Sequence, residues 1–152
     1  MTQTEFEAFR ARAIIEYAAD NVRAGNWTAE EAQARSAEQT DALLPQGLDT
    51  TGVLLLSGET RDGALVGHVW VALDRPPGAG CGAWLYNIWV APEERGKGYG
   101  RALLQLAERE TRRHGARSLG LNVFGSNTTA RRLYESAGYE VVSLRMRKAL
   151  GD

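Results

Sequence analysis

The residues with the clearest chemical content lie in Arg95-Gly96-Lys97-Gly98-Tyr99-Gly100-Arg101, a glycine-punctuated turn between the apolar run ending at Val90 and the helical run Ala102-Leu103-Leu104-Gln105-Leu106-Ala107. Glycine has no Cβ, so such a turn can point successive backbone N–H groups into one concavity, and the start of a helix adds partial positive charge at the same point. The combination suits a phosphate. Donors are expected from the N–H groups of Gly96, Gly98, Gly100 and Arg101, with charge added by Arg95 and by Arg131 or Arg132. Two familiar phosphate loops are excluded. A dinucleotide-binding G-x-G-x-x-G would need its third glycine at Arg101 or Leu103, and a nucleoside-triphosphate loop would need glycine at Ala91 and a hydroxyl at Gly98.

What the turn does match is R-x-x-G-x-G, as Arg95, Gly98 and Gly100. Downstream, Asn127, Ala130, Tyr134, Gly138 and Tyr139 spell N-x-x-A-x-x-x-Y-x-x-x-G-[FY]. In this order the two blocks resemble the GNAT superfamily of acyl-CoA N-acyltransferases, and the resemblance covers roughly Gly52 to Leu150. It implies an α/β fold, with a central mixed sheet that splays between its fourth and fifth strands, about four flanking helices, and acyl-CoA in the opening. It implies transfer of an acetyl group from acetyl-CoA directly to a primary amine of a small molecule, without metal or covalent enzyme intermediate. A protein or peptide acceptor (N-terminus or lysine), or a non-catalytic acyl-CoA sensor, are the alternatives. Homodimerisation is a tendency of the family.

Carried over residue by residue, the resemblance assigns acyl-CoA binding to Ile88, Val90, the turn residues Arg95, Gly96, Lys97, Gly98, Tyr99, Gly100 and Arg101, and then Asn127, Ala130, Arg131 and Tyr134. Tyr134 takes the sharpest role. Expulsion of a thiolate whose conjugate acid titrates near 8.5 is helped by a positioned phenol, near 10, which makes Tyr134 the general acid. Each residue also has an ordinary reading: close helix–strand packing for Gly98 and Gly100, an N-cap for Asn127, a helix C′ residue for Gly138, core for Tyr134. Carbonyl polarisation would come from backbone N–H groups at Ile88 to Val90, which no side-chain pattern reports.

The acceptor must lose a proton before it attacks, because an ammonium near pKa 10.4 has no lone pair at neutral pH. Many family members carry a carboxylate on the strand before the glycine turn. Trp84-Leu85-Tyr86-Asn87-Ile88-Trp89 has none, and simple alternation would put Trp84, Tyr86 and Ile88 on one face and Leu85, Asn87 and Trp89 on the other. Three replacements stand: His68 as base, Tyr86 holding a water chain or positioning substrate, or an amine that needs no base. Tyr17, Trp84 and Tyr86 are the candidate substrate contacts, and such aromatics favour an apolar or cationic acceptor. The carboxylates Glu16, Asp20, Glu59 and Glu140 look scattered along the chain.

The elements that must position these groups follow from pattern. An amphipathic helix is expected from Thr4 to Ala24, and a second, opened by the capping box Thr28-Ala29-Glu30-Glu31, to Leu43. Strands are expected over Val53–Leu56, Ala64–Leu73 and Ala83–Val90, with a polar turn from Ser57 to Gly63 and a Pro/Gly loop from Asp74 to Gly82. After the glycine-turn helix come a strand over Ser118–Val123, a helix over Thr128–Ala137 and a last strand over Tyr139–Met146. The family's usual strand ahead of the first helix has no room here.

At 152 residues the chain is read as one domain, a helical substrate-side segment (1–48) followed by the sheet core and acyl-CoA site (52–150). A net charge of -1 excludes a global field for nucleic acid or an anionic membrane. Cys81 stands alone, so no internal disulfide or cysteine metal site forms. The acidic N-terminus lacks a signal pattern and no apolar run approaches the ~18 residues of a membrane span, which leaves a cytoplasmic protein as the expectation.

Overall fold

The computed structural model describes residues 1–74 and 82–151; Cys81 and most of the expected Asp74–Gly82 loop lie outside the described residues. Two helices come first, α1 (Gln3–Arg23) and α2 (Ala29–Leu43). Thr2 caps α1, its Oγ1 accepting from the Glu5 N–H at 3.3 Å while the Thr2 N–H donates to Glu5 Oε2 at 2.6 Å. At α2 the Thr28 N–H donates to Glu31 Oε1 at 3.1 Å, as the sequence pattern predicts. The buried Ser36 hydroxyl donates to Ile14 O at 2.7 Å and joins the two helices.

Three antiparallel strands follow, β1 (Val53–Glu59), β2 (Leu65–Ala72) and β3 (Ala83–Val90), then α3 (Tyr99–Arg113), the short β4 (Leu119–Leu121) and α4 (Thr128–Ser136). The sheet order is β1-β2-β3-β4, with β4 parallel to β3. On the resemblance, the family's fourth and fifth strands correspond to β3 and β4, because among the described residues no strand precedes α1.

Two expectations are corrected. The turn expected from Ser57 is strand as far as Glu59, because Ser57 pairs with His68 and Gly58 with Gly67, and cross-strand pairing outweighs their weak strand propensity. The last strand expected over Tyr139–Met146 does not join the sheet among the described residues: β4 is its edge, and Val142, Leu144 and Met146 are 93%, 76% and 88% exposed. Their alternation is that of a strand, but an alternating segment becomes a strand only beside an edge that pairs with it.

The sheet has two packed faces. Against α3, Val69, Val71, Ala83 and Leu85 meet Leu103, Leu104 and Ala107; against α1, Trp70 meets Phe6, Phe9 and Ala13. β3 serves both through a bulge. Trp70 pairs with Asn87 but Val71 pairs with Leu85, so Tyr86 is one residue in excess and reverses the alternation. Ala83, Leu85, Ile88 and Val90 consequently share the α3 core, while Tyr86 stacks on Trp70 at 4.8 Å and Trp89 on His68 at 5.5 Å beneath α1. The simple alternation expected for this strand is therefore corrected at Ile88, which leaves the face of Tyr86. No helix among the described residues is long and apolar enough to cross a membrane.

Candidate active site

β3 and β4 pair only at Ala83↔Leu119, Trp84↔Gly120 and Leu85↔Leu121. Beyond Leu85 the strands part, and a cavity of about 490 Å³ occupies the gap. Trp84, Tyr86, Asn87 and Ile88 line it from β3, Asn122 and Phe124 from beyond β4. Helix α1 contributes Glu16, Tyr17 and Asp20; Asn127, Ala130 and Tyr134 close the far side. The Ala91 N–H donates to Val66 O at 2.9 Å, so the antiparallel alternation directs the N–H groups of Trp89 and Asn87 to β2 as well. Those of Ile88 and Val90 then face the opening. The Val90 carbonyl points the same way and accepts from Arg95 Nε at 3.1 Å.

The glycine turn has the expected form. Gly96 and Gly98 have φ of +76° and +87°, and Gly98 is the N-cap of α3, an end that no side chain caps. The first N–H groups of α3 therefore lack a side-chain partner. Gly100 is informative for a different reason. Its φ is not positive, and an added Cβ would sit 3.5 Å from Leu133 and 3.8 Å from Val90, ordinary contact distances. Nothing in the chain itself requires glycine there, which fits a surface that a phosphate group must approach. Around the turn, Lys97 pairs with Glu94 at 3.1 Å, Arg131 with Glu135 at 3.2 Å, and Arg101 donates to Ser136 Oγ at 2.6 Å, tying α3 to α4. Tyr99 opens α3.

Asn127 caps α4, accepting from the Ala130 N–H at 3.1 Å, and also lines the cavity. Gly138, at φ +91°, follows the C-cap Ala137. Tyr134 is 8% exposed, with its phenol pushed up to about 12 by burial. It is therefore protonated throughout the physiological range and stands ready as a hydrogen-bond donor. Tyr17 packs edge-on against Trp27 at 5.3 Å, and burial raises the Tyr86 phenol.

His68 is elsewhere. It is fully buried between Phe9 and Trp89, away from the cavity lining, and neither ring nitrogen has a hydrogen-bond partner among the described residues. Burial first, and then the charge of Arg12, lower its pKa. Glu16, which the sequence offered only as one of four scattered carboxylates and not as a base, lines the cavity. Its carboxyl is raised by burial, an effect opposed by Arg12 and Arg95 and reinforced by Asp20. Arg12 itself lies over the Trp89 ring at 3.5 Å. Arg12, Glu16 and Asp20 fall at i, i+4 and i+8, one stripe of α1, and that spacing was the available signal. No group of three or more His, Cys, Asp or Glu side chains among the described residues is placed to hold a metal ion.

A strand pair that parts over a cavity, with an open helix N-terminus beside it, is the arrangement that the resemblance implies. The sequence profile of the acetyltransferase (GNAT) family matches residues 12–139, and the chain belongs to that family. Among relatives, the Bacillus subtilis protein YdgE, named an uncharacterized N-acetyltransferase, is 34% identical over 150 residues, covering 99% of this chain and 95% of its own. The crystal structure of the Bacillus subtilis protein YycN, named an uncharacterized N-acetyltransferase, superposes with a TM-score of 0.91 at 33% identity, covering 100% of this chain and 96% of that one. A mycothiol acetyltransferase from Kytococcus sedentarius is 33% identical over 122 residues, which are 80% of this chain but 38% of the relative.

Proposed function

We propose that the chain transfers the acetyl group of acetyl-CoA to a primary amine on a small, cationic acceptor. The observation that carries this reading is the cavity at the parting of β3 and β4, where Tyr134, the outward N–H groups of β3 and the α1 carboxylates converge. The first-turn N–H groups of α3, the open space at Gly98 and the room at half-buried Gly100 suit the pyrophosphate of the donor. The N–H groups of Ile88 and Val90 suit the thioester carbonyl oxygen, on which negative charge develops.

Glu16 is the base in this reading. It takes one proton from the ammonium, the freed lone pair attacks the thioester carbon, and the carbon–sulfur bond breaks with its electron pair on sulfur. The nitrogen's second proton is the one that ends on the departing thiol. Tyr134 donates a hydrogen bond to the sulfur as the bond breaks, and burial, which pushes its phenol up to about 12, keeps it protonated for that role. Asp20, one turn beyond Glu16, and the faces of Tyr17 and Tyr86 suit an acceptor that keeps a positive charge beside an apolar body.

The test is release of free CoA from acetyl-CoA against a panel of diamines, aminated sugars, amino acids, and peptides with free N-termini or lysines. Turnover with small cationic amines supports the reading. Turnover confined to peptides would overturn the acceptor class, and acetyl-CoA binding without turnover on any acceptor would make the chain a sensor.

A further inference from the structure

The bulge at Tyr86 brings Trp89 beneath α1, where the Arg12 guanidinium lies over its ring at 3.5 Å. The indole stacks in turn on buried His68, the ring centroids 5.5 Å apart and the planes 17° from parallel. Among the described residues Arg12 forms no ion pair. Arg35 behaves differently: it lies over Trp27 at 5.1 Å and also pairs at 3.2 Å with Glu31, one turn before it. For Arg12 the order is reversed, with the arginine one turn ahead of Glu16, the weaker orientation for an ion pair along a helix. Its guanidinium is committed to the ring instead.

On the reading of Glu16 as the base, we propose that Arg12 is its positioning residue: held over the Trp89 ring one turn before the carboxylate, it keeps Glu16 ionised without bonding to it and leaves the carboxylate open to the acceptor ammonium. A half-buried base faces two opposite failures. Burial alone favours the neutral acid, which cannot take a proton, whereas a direct arginine pair would occupy the carboxylate oxygens and remove most of their basicity. A cation held on an aromatic face avoids both. The ring attracts the guanidinium whether or not Glu16 is charged, so the cation stays in place while the proton arrives and leaves.

The surrounding charges agree. Burial raises the Glu16 carboxyl, and among the groups that oppose it Arg12 comes first, followed by Arg95 from the turn after β3; Asp20 reinforces the rise, and a hydrogen bond with the Trp89 side chain opposes it most weakly. His68, beneath the indole, is kept neutral by burial and then by the Arg12 charge, so the stack holds one cation. The other titratable side chains that line the cavity are the phenols of Tyr17, Tyr86 and Tyr134.

The test is the pH profile of kcat/KM for the full chain and four variants. Arg12→Gln should move the acid limb up by about 0.5–1 pH unit, less than a direct ion pair would, with activity about 3- to 10-fold lower below the limb, little changed above it, and the acetyl-CoA KM unaffected. Arg12→Met, which keeps the indole covered if the glutamine variant folds poorly, should give the same shift. Arg12→Lys restores the charge and should recover at least half of it. A 13C NMR titration of the Glu16 carboxyl should show these shifts without turnover. Glu16→Gln separates the two readings. If it keeps the limb, the base lies elsewhere and the role of Arg12 falls with it. If it removes the limb while both neutral variants leave the limb and the carboxyl titration in place, even with a lower melting temperature, Arg12 only packs on Trp89 and this proposal alone is overturned. A limb that moves but is not recovered by lysine overturns it as well, because charge would not be the cause.

Discussion

On one side of β3 the sheet is closed and on the other it is open. From β1 through β3 each strand pairs along most of its length, and Val69, Val71 and Leu85 are 0%, 0% and 3% exposed. From β3 onward, pairing stops after three residues, β4 has a bare edge, and the segment after α4 pairs with no strand among the described residues. The first half satisfies its backbone within the chain. The second leaves donors and acceptors unpaired within the sheet, which is what a ligand site requires. Two glycines mark the same division. At Gly67 a Cβ would collide with the Trp89 carbonyl and with Leu103, so packing dictates the residue, whereas at Gly100 the chain itself leaves room.

The largest expected effect tests the closed half. Leu104→Ala removes a 1% exposed side chain from the α3 core and should cost about 3 kcal/mol in denaturant unfolding, with the acetyl-CoA KM nearly unchanged. A loss of affinity as large as the loss of stability would mean that the two halves are not separable. Glu16→Gln comes next. It should lower kcat/KM by roughly 10²-fold while the fold is kept. Because a base works deprotonated, activity should rise with pH through the Glu16 pKa, which lies above the ordinary carboxylate value, and the amide should abolish that acid limb. The same limb persisting in the variant would put the base elsewhere.

Tyr134→Phe keeps the ring and removes the donor to sulfur. A hydrogen bond to a charged group is worth roughly 1.5–3 kcal/mol, so single-turnover kcat should fall by about 10- to 10²-fold with little change in acetyl-CoA affinity. An unchanged single-turnover rate would leave Tyr134 as packing. Gly100→Ala should weaken acetyl-CoA binding by about 10-fold in calorimetry, and unfolding should show it equal or up to about 1 kcal/mol more stable, since alanine is the better helix former. Undiminished affinity would remove the turn from the donor site.

The smallest effect returns to the closed half. His68 has a lowered pKa, so below its ordinary value near 6.5 the unfolded chain takes up a proton that the folded chain resists. Stability should therefore fall as pH drops from about 6.5 towards the folded pKa, and His68→Phe should flatten that window in pH-dependent melts. Activity should not follow the same titration if His68 is no base.

Legibility in the sequence divides along the same line. The bounds of β3, the existence of the turn and α3, the caps at Thr28 and Asn127, and the C′ glycine Gly138 were readable because each rests on local rules of periodicity, capping or φ. The bulge was not. Trp84-Leu85-Tyr86-Asn87-Ile88-Trp89 is apolar or aromatic at nearly every position, so no polar residue marks the point where the alternation reverses. Glu16 was legible only as one of several scattered carboxylates; the stripe it forms with Arg12 and Asp20 would ordinarily face solvent, and only the parting of β3 and β4 puts a cavity beneath it. The last strand expected over Tyr139–Met146 finds no partner among the described residues, since a strand-like pattern reports faces and says nothing about edges.

The extra residue at Tyr86 also has a reach beyond geometry. Up to Leu85 the odd-numbered residues of β3 belong to the α3 core, and from Ile88 the even-numbered ones do. Mutational tolerance along this strand should therefore switch parity in mid-course: polar replacements barred at Ala83 and Leu85 become barred at Ile88 and Val90, two positions that regular alternation would assign to the other face. A family alignment scored for strict two-residue periodicity would take half of β3 for the wrong surface. A saturation scan would locate the bulge without any structure at all.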